Sequence, residues 1–330
     1  MTHTPGALLL SALLLLAGCT EPPAASADTP AAPPPGQRSL GAASALAEAA
    51  PPVELEDTAQ HLLASTALGR SYRVLVGLPR GYADSPGRRY PVLFITDTNY
   101  AFPVVRSIGR MVGDGGTGLE DFILVGLSYA DGDTPQYSRR RDYTPTPNGP
   151  RTATVSDMPG LPVVHGGAEP YRLFIRDEVF PFVARHYRAD MERRIFAGHS
   201  YGALLGTHML LAEPAMFDKY ILSSPSLWYD QRVMFRREDA YARHHDDLPA
   251  EVLLTIGGFE TLAPGSGDSR YNARDDMLRD NAQFAERLRS RGYPGLRLES
   301  LVIADEGHLS VYPAAITRGI AWALPPATPL

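Results

Sequence analysis

Among 330 residues the chain has one cysteine, Cys19, so no intrachain disulfide can form and the fold must rest on packing. It lacks a cationic excess: a formal net charge of -6 gives no electrostatic footprint for nucleic acid or an anionic membrane. No apolar run is long enough to span a bilayer, the N-terminal stretch 7–17 being too short. There is no His-Glu-x-x-His pair, and Gly113-Asp114-Gly115-Gly116 lacks the lysine of a phosphate loop, so no metal and no organic cofactor is expected. Internal repeats are absent. What is present is globular composition, 44% hydrophobic and 21% charged, enough for one sizeable core.

The apolar stretch 7–17 runs into Leu16-Ala17-Gly18-Cys19, with small residues just before the cysteine. This resembles a bacterial lipoprotein signal, with Cys19 as the lipidated first residue of an exported, periplasmic or cell-envelope protein that touches the membrane only through that lipid. The first six residues contain no Lys or Arg, leaving the terminal amine and His3 to supply charge, and an ordinary cleaved signal is the alternative. Residues 20–52 are Ala, Pro and Ser with few large apolar side chains, including Pro33-Pro34-Pro35, and read as a semi-extended tether. The expected organisation is a signal over 1–19, a tether over 20–52 and a catalytic domain over 53–330.

In that last part, apolar runs of strand length alternate with segments of helical period, the pattern of parallel strands joined by helical crossovers. Strands are expected at 72–78, 90–96, 122–127, 194–197, 219–222, 252–256 and 296–303, and helices at 171–187, 201–211, 274–291 and 312–323. The fold class is α/β, a three-layer αβα sandwich about a mostly parallel sheet. A polar, Gly- and Pro-rich connection over 130–169, after the third of these strands, is too long to be a simple link and is expected over the active site.

Gly198-His199-Ser200-Tyr201-Gly202 matches the G-x-S-x-G nucleophile elbow, in which a sharp strand-to-helix turn lifts a serine above the sheet. The bare pattern is weak in a chain with 30 glycines; its context, Arg194-Ile195-Phe196-Ala197 leading in and Tyr201-Gly202-Ala203-Leu204 leading out, is the stronger signal. A serine nucleophile needs a base, and the base needs an acid that fixes its tautomer. Of the histidines after Ser200, His208 rides away on the elbow helix and His244-His245 has no strand before it, whereas His308 follows a strand in Asp305-Glu306-Gly307-His308. The acid should leave the preceding strand, which points to Glu260 in Gly257-Gly258-Phe259-Glu260, with Asp268 and Asp305 as competitors. Oxyanion donors are expected from the backbone of Tyr201 and from Asp97-Thr98-Asn99-Tyr100, through Asn99 or Tyr100.

Pro91-Val92-Leu93-Phe94-Ile95-Thr96-Asp97, Arg141-Asp142-Tyr143-Thr144-Pro145, the elbow, Ser224-Pro225-Ser226-Leu227-Trp228, Gly257-Gly258-Phe259-Glu260 and Gly307-His308 stand in the order seen in the putative-esterase (esterase D-like) α/β hydrolases, which this chain resembles over about 53–323. Within that superfamily it looks most like periplasmic siderophore esterases, which hydrolyse enterobactin-type trilactones. Where the family commonly has Asp-Gly-Asn, this chain has Asp97-Thr98-Asn99. The resemblance implies a serine ester hydrolase acting on a small-molecule ester through an acyl-enzyme. It places Trp228 and Tyr229 beside the pocket, to stack on an aromatic acyl or catechol group, with core closure as the alternative. Arg139-Arg140-Arg141 would attract an anionic substrate, Arg141 foremost, or form a solvated basic run. An acyltransferase of mycolyltransferase type differs only in the acceptor, and a non-catalytic binding module is the reading from another class.

Overall fold

The computed structural model describes residues 54–113, 117–150 and 155–326. The expected signal, Cys19 and the expected tether lie outside the described residues. One eight-stranded sheet organises the rest: β1 (Thr58–Ser65), β2 (Arg70–Gly77), β3 (Tyr90–Ile95), β4 (Ile123–Ala130), β5 (Ala189–His199), β6 (Lys219–Ser223), β7 (Ala250–Gly257) and β8 (Leu296–Ile303). Their spatial order is β1-β2-β4-β3-β5-β6-β7-β8. The β1/β2 and β2/β4 pairs are antiparallel and all others parallel.

The central strands are apolar on both faces because helices cover both. All six residues of β3 are buried, and alternate ones enter different cores: Val92 and Phe94 pack with Phe196, Tyr220 and Leu222, while Leu93 and Ile95 pack with Ile195, Ala197 and Ile221. The second core is closed by α1 (Thr98–Met111) and the C-terminal helix through Phe102, Val105, Ile316 and Ile320. In the first, Phe217 meets Phe94, Phe180 and Phe196 at ring separations of 5.4 to 5.6 Å. Each such ring contributes about 1.5–3 kcal/mol by burial.

Every strand expected from sequence is present, β5 starting earlier than expected. Five elements were not expected: β1, α1, α2 (Pro135–Asp142), the one-turn 3-10 helix Pro214–Met216 and, further along, the helix Tyr229–Ala242. The helix expected over 171–187 is built in three pieces, α3 (Ala168–Phe174), a π-helical turn Ile175–Val179 and α4 (Phe180–His186). Pro181, which has no N–H to give and crowds the carbonyl one turn back, sits just after that wide turn. The remaining helices are α5 (Tyr201–Ala212), α6 (Tyr229–Ala242), α7 (Met277–Ser290) and α8 (Val311–Ala323). α7 starts later than expected because the Asp276 carboxylate caps it, accepting from the Arg279 N–H at 3.1 Å.

The 130–169 connection is not structureless. Thr134 caps α2, its Oγ1 accepting from the Tyr137 N–H at 3.2 Å, and Pro135 takes the first helical position. Thr134, Pro135, Gln136, Arg139 and Asp157 all line the cleft that holds Ser200.

Candidate active site

Ser200 sits between β5 and α5 at φ 59°, ψ -117°, a left-handed backbone that costs about 1–3 kcal/mol for a residue with a Cβ. Three backbone hydrogen bonds hold it there: its N–H donates to the Ser223 carbonyl at 3.0 Å, and its carbonyl accepts from the Leu204 N–H at 2.9 Å and the Ser226 N–H at 3.3 Å. The turn closes only because residue 202 is glycine, since a Cβ there would lie 2.2 Å from Thr96 Oγ1.

His308 follows β8 and reaches back over the elbow. Its Nε2 lies 3.0 Å from Ser200 Oγ and its Nδ1 lies 2.6 Å from Glu260 Oε2. Glu260, just after β7, is fully buried; its other oxygen accepts from Ser224 Oγ at 2.5 Å and from the Gly257 N–H at 2.8 Å. Three donors thus offset the cost of burying this carboxylate, and its position fixes the imidazole tautomer: Nδ1–H donates to Glu260, leaving Nε2 free to accept from Ser200. The competing acids stand elsewhere. Asp268 is ion-paired with Arg270 at 2.6 Å, and Asp305 is an exposed turn residue. Among the other histidines, His208 bonds Glu169 at 2.9 Å, and His244 and His245 bond carbonyls at the end of α6.

Tyr201 and Asn99 occupy the first turns of α5 and α1, where N–H groups have no intrahelical acceptor. The Tyr100 N–H donates to the Asp97 carbonyl at 3.2 Å, so of the two expected at that turn Asn99 has its N–H unengaged by backbone. Thr98 is accommodated from the neighbouring strand: a Cβ on Gly126 would fall 2.7 Å from its Cγ2. Asp97 carries the turn at φ 58° and is 1% exposed. Its carboxylate is gripped by Arg139, Nε to Oδ1 at 2.6 Å and Nη2 to Oδ2 at 3.3 Å, and by the Tyr129 hydroxyl at 3.0 Å.

Arg139 is therefore the member of the basic run that lines the cleft, in place of Arg141. The Arg141 guanidinium is consumed by Asp142 at 2.8 Å and Asp133 at 2.6 Å, bracing the insertion rather than meeting a ligand. Tyr229 is likewise corrected: it is fully buried, its hydroxyl donating to the Thr146 carbonyl at 2.8 Å, and closes the core. Trp228 does border the site.

Two clefts meet at Ser200 and His308. The larger, about 660 Å³, is walled by Asn99, Tyr100, Val104, Tyr129, Arg139 and Tyr312. The smaller, about 270 Å³, is bordered by Ser226, Trp228, Asn272, Arg274, Asp275 and Met277. Burial pushes the Tyr201 phenol up to about 12, so it stays neutral. His199, 5% exposed, packs its ring 4.8 Å from that of His308, and burial holds it well below the ordinary imidazole range. Sequence reasoning assigned no role to Ser224 or Ser226, and it placed Arg139 in the basic run and Asp97 in the oxyanion turn without pairing them. The two serines were readable as hydroxyls at the end of the strand beside the elbow; the Asp97–Arg139 pair joins residues 42 apart and carries no local signal.

A family model described as putative esterase matches residues 65–295. The ferri-bacillibactin esterase BesA of Bacillus subtilis (strain 168) is 29% identical over 283 residues, covering 82% of this chain and 91% of the relative. The siderophore triacetylfusarinine C esterase of Aspergillus fumigatus is 29% identical over 290 residues, covering 82% and 94%. The crystal structure of an IroE-like serine hydrolase from Shewanella oneidensis superposes with a TM-score of 0.65 at 26% identity, covering 80% of this chain and 78% of that one. With the family model spanning most of its length, the chain belongs to the putative esterase family and is a carboxylic ester hydrolase.

Proposed function

We propose that this enzyme hydrolyses siderophore esters of the trilactone kind through an acyl-enzyme on Ser200. The observation that carries the reading is the hydrogen-bonded series Ser200–His308–Glu260 opening onto a cleft of about 660 Å³. As Ser200 Oγ attacks the ester carbonyl, its proton passes to His308 Nε2, and Glu260 stabilises the imidazolium that forms. The oxyanion develops toward the backbone N–H groups of Tyr201 and Asn99. The leaving alcohol takes the proton from His308, and a water activated by the same nitrogen then releases the acid.

The siderophore class is supported by the named activities of two relatives and by the chemistry of the cleft, where Tyr100, Tyr129 and Tyr312 offer aromatic faces and Arg139 a cation. Attachment to the cell envelope through Cys19 belongs to the same proposal, supported by the residues before it. The test is product analysis: the ferric and iron-free forms of a catecholate trilactone are incubated with wild type and Ser200→Ala, and linear hydroxy-acid products are quantified. Products from wild type alone support the reading. Simple aryl esters cleaved while both trilactones stay intact would restrict the enzyme to a different ester class.

A further inference from the structure

Ser226 stands just past β6, the strand beside the elbow, and is 1% exposed. Its N–H donates to the Ser200 carbonyl at 3.3 Å, tying it to the nucleophile's backbone. Its hydroxyl oxygen lies 3.4 Å from Ser200 Oγ, and among the described residues that is its only hydrogen-bond partner. A buried hydroxyl ordinarily finds a partner in the fold. Here the partner is the atom that becomes acylated, and an ester oxygen accepts a hydrogen bond far less well than a serine hydroxyl does. Acylation therefore frees Ser226.

Ser226 lines the smaller cleft, which contains Ser200 and His308 but neither Asn99 nor Tyr100 of the oxyanion turn. The larger cleft contains the oxyanion turn as well as Ser200 and His308. Both clefts reach Ser200 and His308; with the acyl group in the larger, which has the volume for it and holds the oxyanion turn, the smaller is left for the oxygen that departs and the oxygen that replaces it.

Resting on the serine-esterase reading above, we propose that the smaller cleft is the acceptor subsite and that the Ser226 hydroxyl holds the leaving alcohol and then the hydrolytic water against His308 Nε2. A hydroxyl can both donate and accept, which is what the two steps require. In acylation the Ser226 O–H donates to the departing alkoxide oxygen while that oxygen takes the proton from His308. In deacylation water gives one hydrogen bond to Ser226 Oγ and its proton to His308 Nε2, and its oxygen bonds to the acyl carbon. Collapse of the tetrahedral adduct breaks the bond to Ser200 Oγ, which recovers its proton from His308. Ser226 is thus a catalytic residue of the acceptor side.

The test uses the full chain, single-turnover loading with a p-nitrophenyl ester, and intact-mass detection of the acyl adduct. p-Nitrophenolate leaves without needing a proton, so Ser226→Ala should load Ser200 within about threefold of the wild-type rate and lose the adduct at least tenfold more slowly, one hydrogen bond to a reacting atom being worth about that factor. Ser226→Thr, which keeps a hydroxyl, should restore adduct loss to within about threefold of wild type. Adduct loss within twofold of wild type in Ser226→Ala would overturn the assignment. So would a parallel fall in loading and loss, or a Thr variant no faster than Ala, because each describes a hydroxyl that merely supports the nucleophile. Turnover by Ser200→Ala at the wild-type rate would instead refute the serine-esterase reading itself.

Discussion

Replacing Glu260 by glutamine should be worse for catalysis than deleting its side chain, and the reason lies in its three partners. One carboxylate oxygen accepts from Ser224 Oγ at 2.5 Å and from the Gly257 N–H at 2.8 Å; the other accepts from His308 Nδ1 at 2.6 Å. A backbone N–H cannot rotate, so glutamine must turn its carbonyl oxygen toward Gly257 and its NH2 toward His308. The imidazole is then driven to accept at Nδ1 and to carry its proton on Nε2, facing Ser200, where it cannot serve as base. Turning the amide over would set two donors against each other in a buried site, at about 1–3 kcal/mol, and the charge-assisted bond to the imidazolium, worth about 1.5–3 kcal/mol, is lost in either case. Together these give a fall in kcat of about a hundred- to ten-thousandfold with KM little changed. Glu260→Ala leaves space for water at Nδ1 and so keeps the productive tautomer. It should be the more active variant and, with the Gly257 N–H and Ser224 hydroxyl deprived of their acceptor, the less stable one. The assay is p-nitrophenyl ester turnover at pH 7.5 alongside urea unfolding. Glu260→Gln turning over within tenfold of wild type, or faster than Glu260→Ala, would refute the tautomer argument.

Arg139→Ala leaves Asp97 buried with only hydroxyl donors and should destabilise the protein by about 3 kcal/mol in urea titration, while raising KM for anionic esters at least tenfold. Arg141→Ala, remote from the cleft, should lower stability but keep KM within twofold of wild type. His199 is held neutral by burial in the fold but protonates in the unfolded chain below about pH 6.5, so the unfolded state binds more protons there and stability falls as pH falls. His199→Gln should flatten the loss between pH 7 and 5.5 by up to about 1.4 kcal/mol per pH unit, and an unchanged slope in pH-dependent unfolding would count against a buried neutral imidazole. Gly202→Ala, whose methyl would strike Thr96 Oγ1, should cost about 2 kcal/mol or more and abolish turnover; a soluble, active variant would show that the elbow relaxes.

The residues whose roles depend on strand ends were legible in the sequence, because on a parallel sheet the chain order of strands and the turns after them dictate which side chains converge. Ser200 and Glu260 each follow an apolar run that reads as a buried strand, and His308 follows β8, an edge strand in which only Ile303 is buried. Elements held by tertiary packing were not. β1 is an edge strand whose residues Thr58–Ser65 are largely exposed and show no apolar alternation, and α1 carries Pro103 within it and no side-chain cap. α6 begins with Asp230, Gln231 and Arg232 at positive φ and buries few apolar residues, so its charged sequence reads as loop. Arg141 and Arg139 sit two positions apart on α2, and only the fold says which of them faces Asp97. Trp228 and Tyr229 are adjacent, yet one borders the cleft and the other closes the core, since neighbours at a helix start point in different directions.

The central claim is that Ser200 is the nucleophile of a carboxylic ester hydrolase. The most direct measurement treats wild type and Ser200→Ala with a serine-directed fluorophosphonate, reads the adduct site by mass spectrometry and follows hydrolysis of p-nitrophenyl butyrate in the same samples. One adduct on Ser200, with activity lost in step with labelling and absent from Ser200→Ala, is the predicted result. Undiminished hydrolysis by Ser200→Ala, or complete labelling of Ser200 with turnover intact, would contradict it.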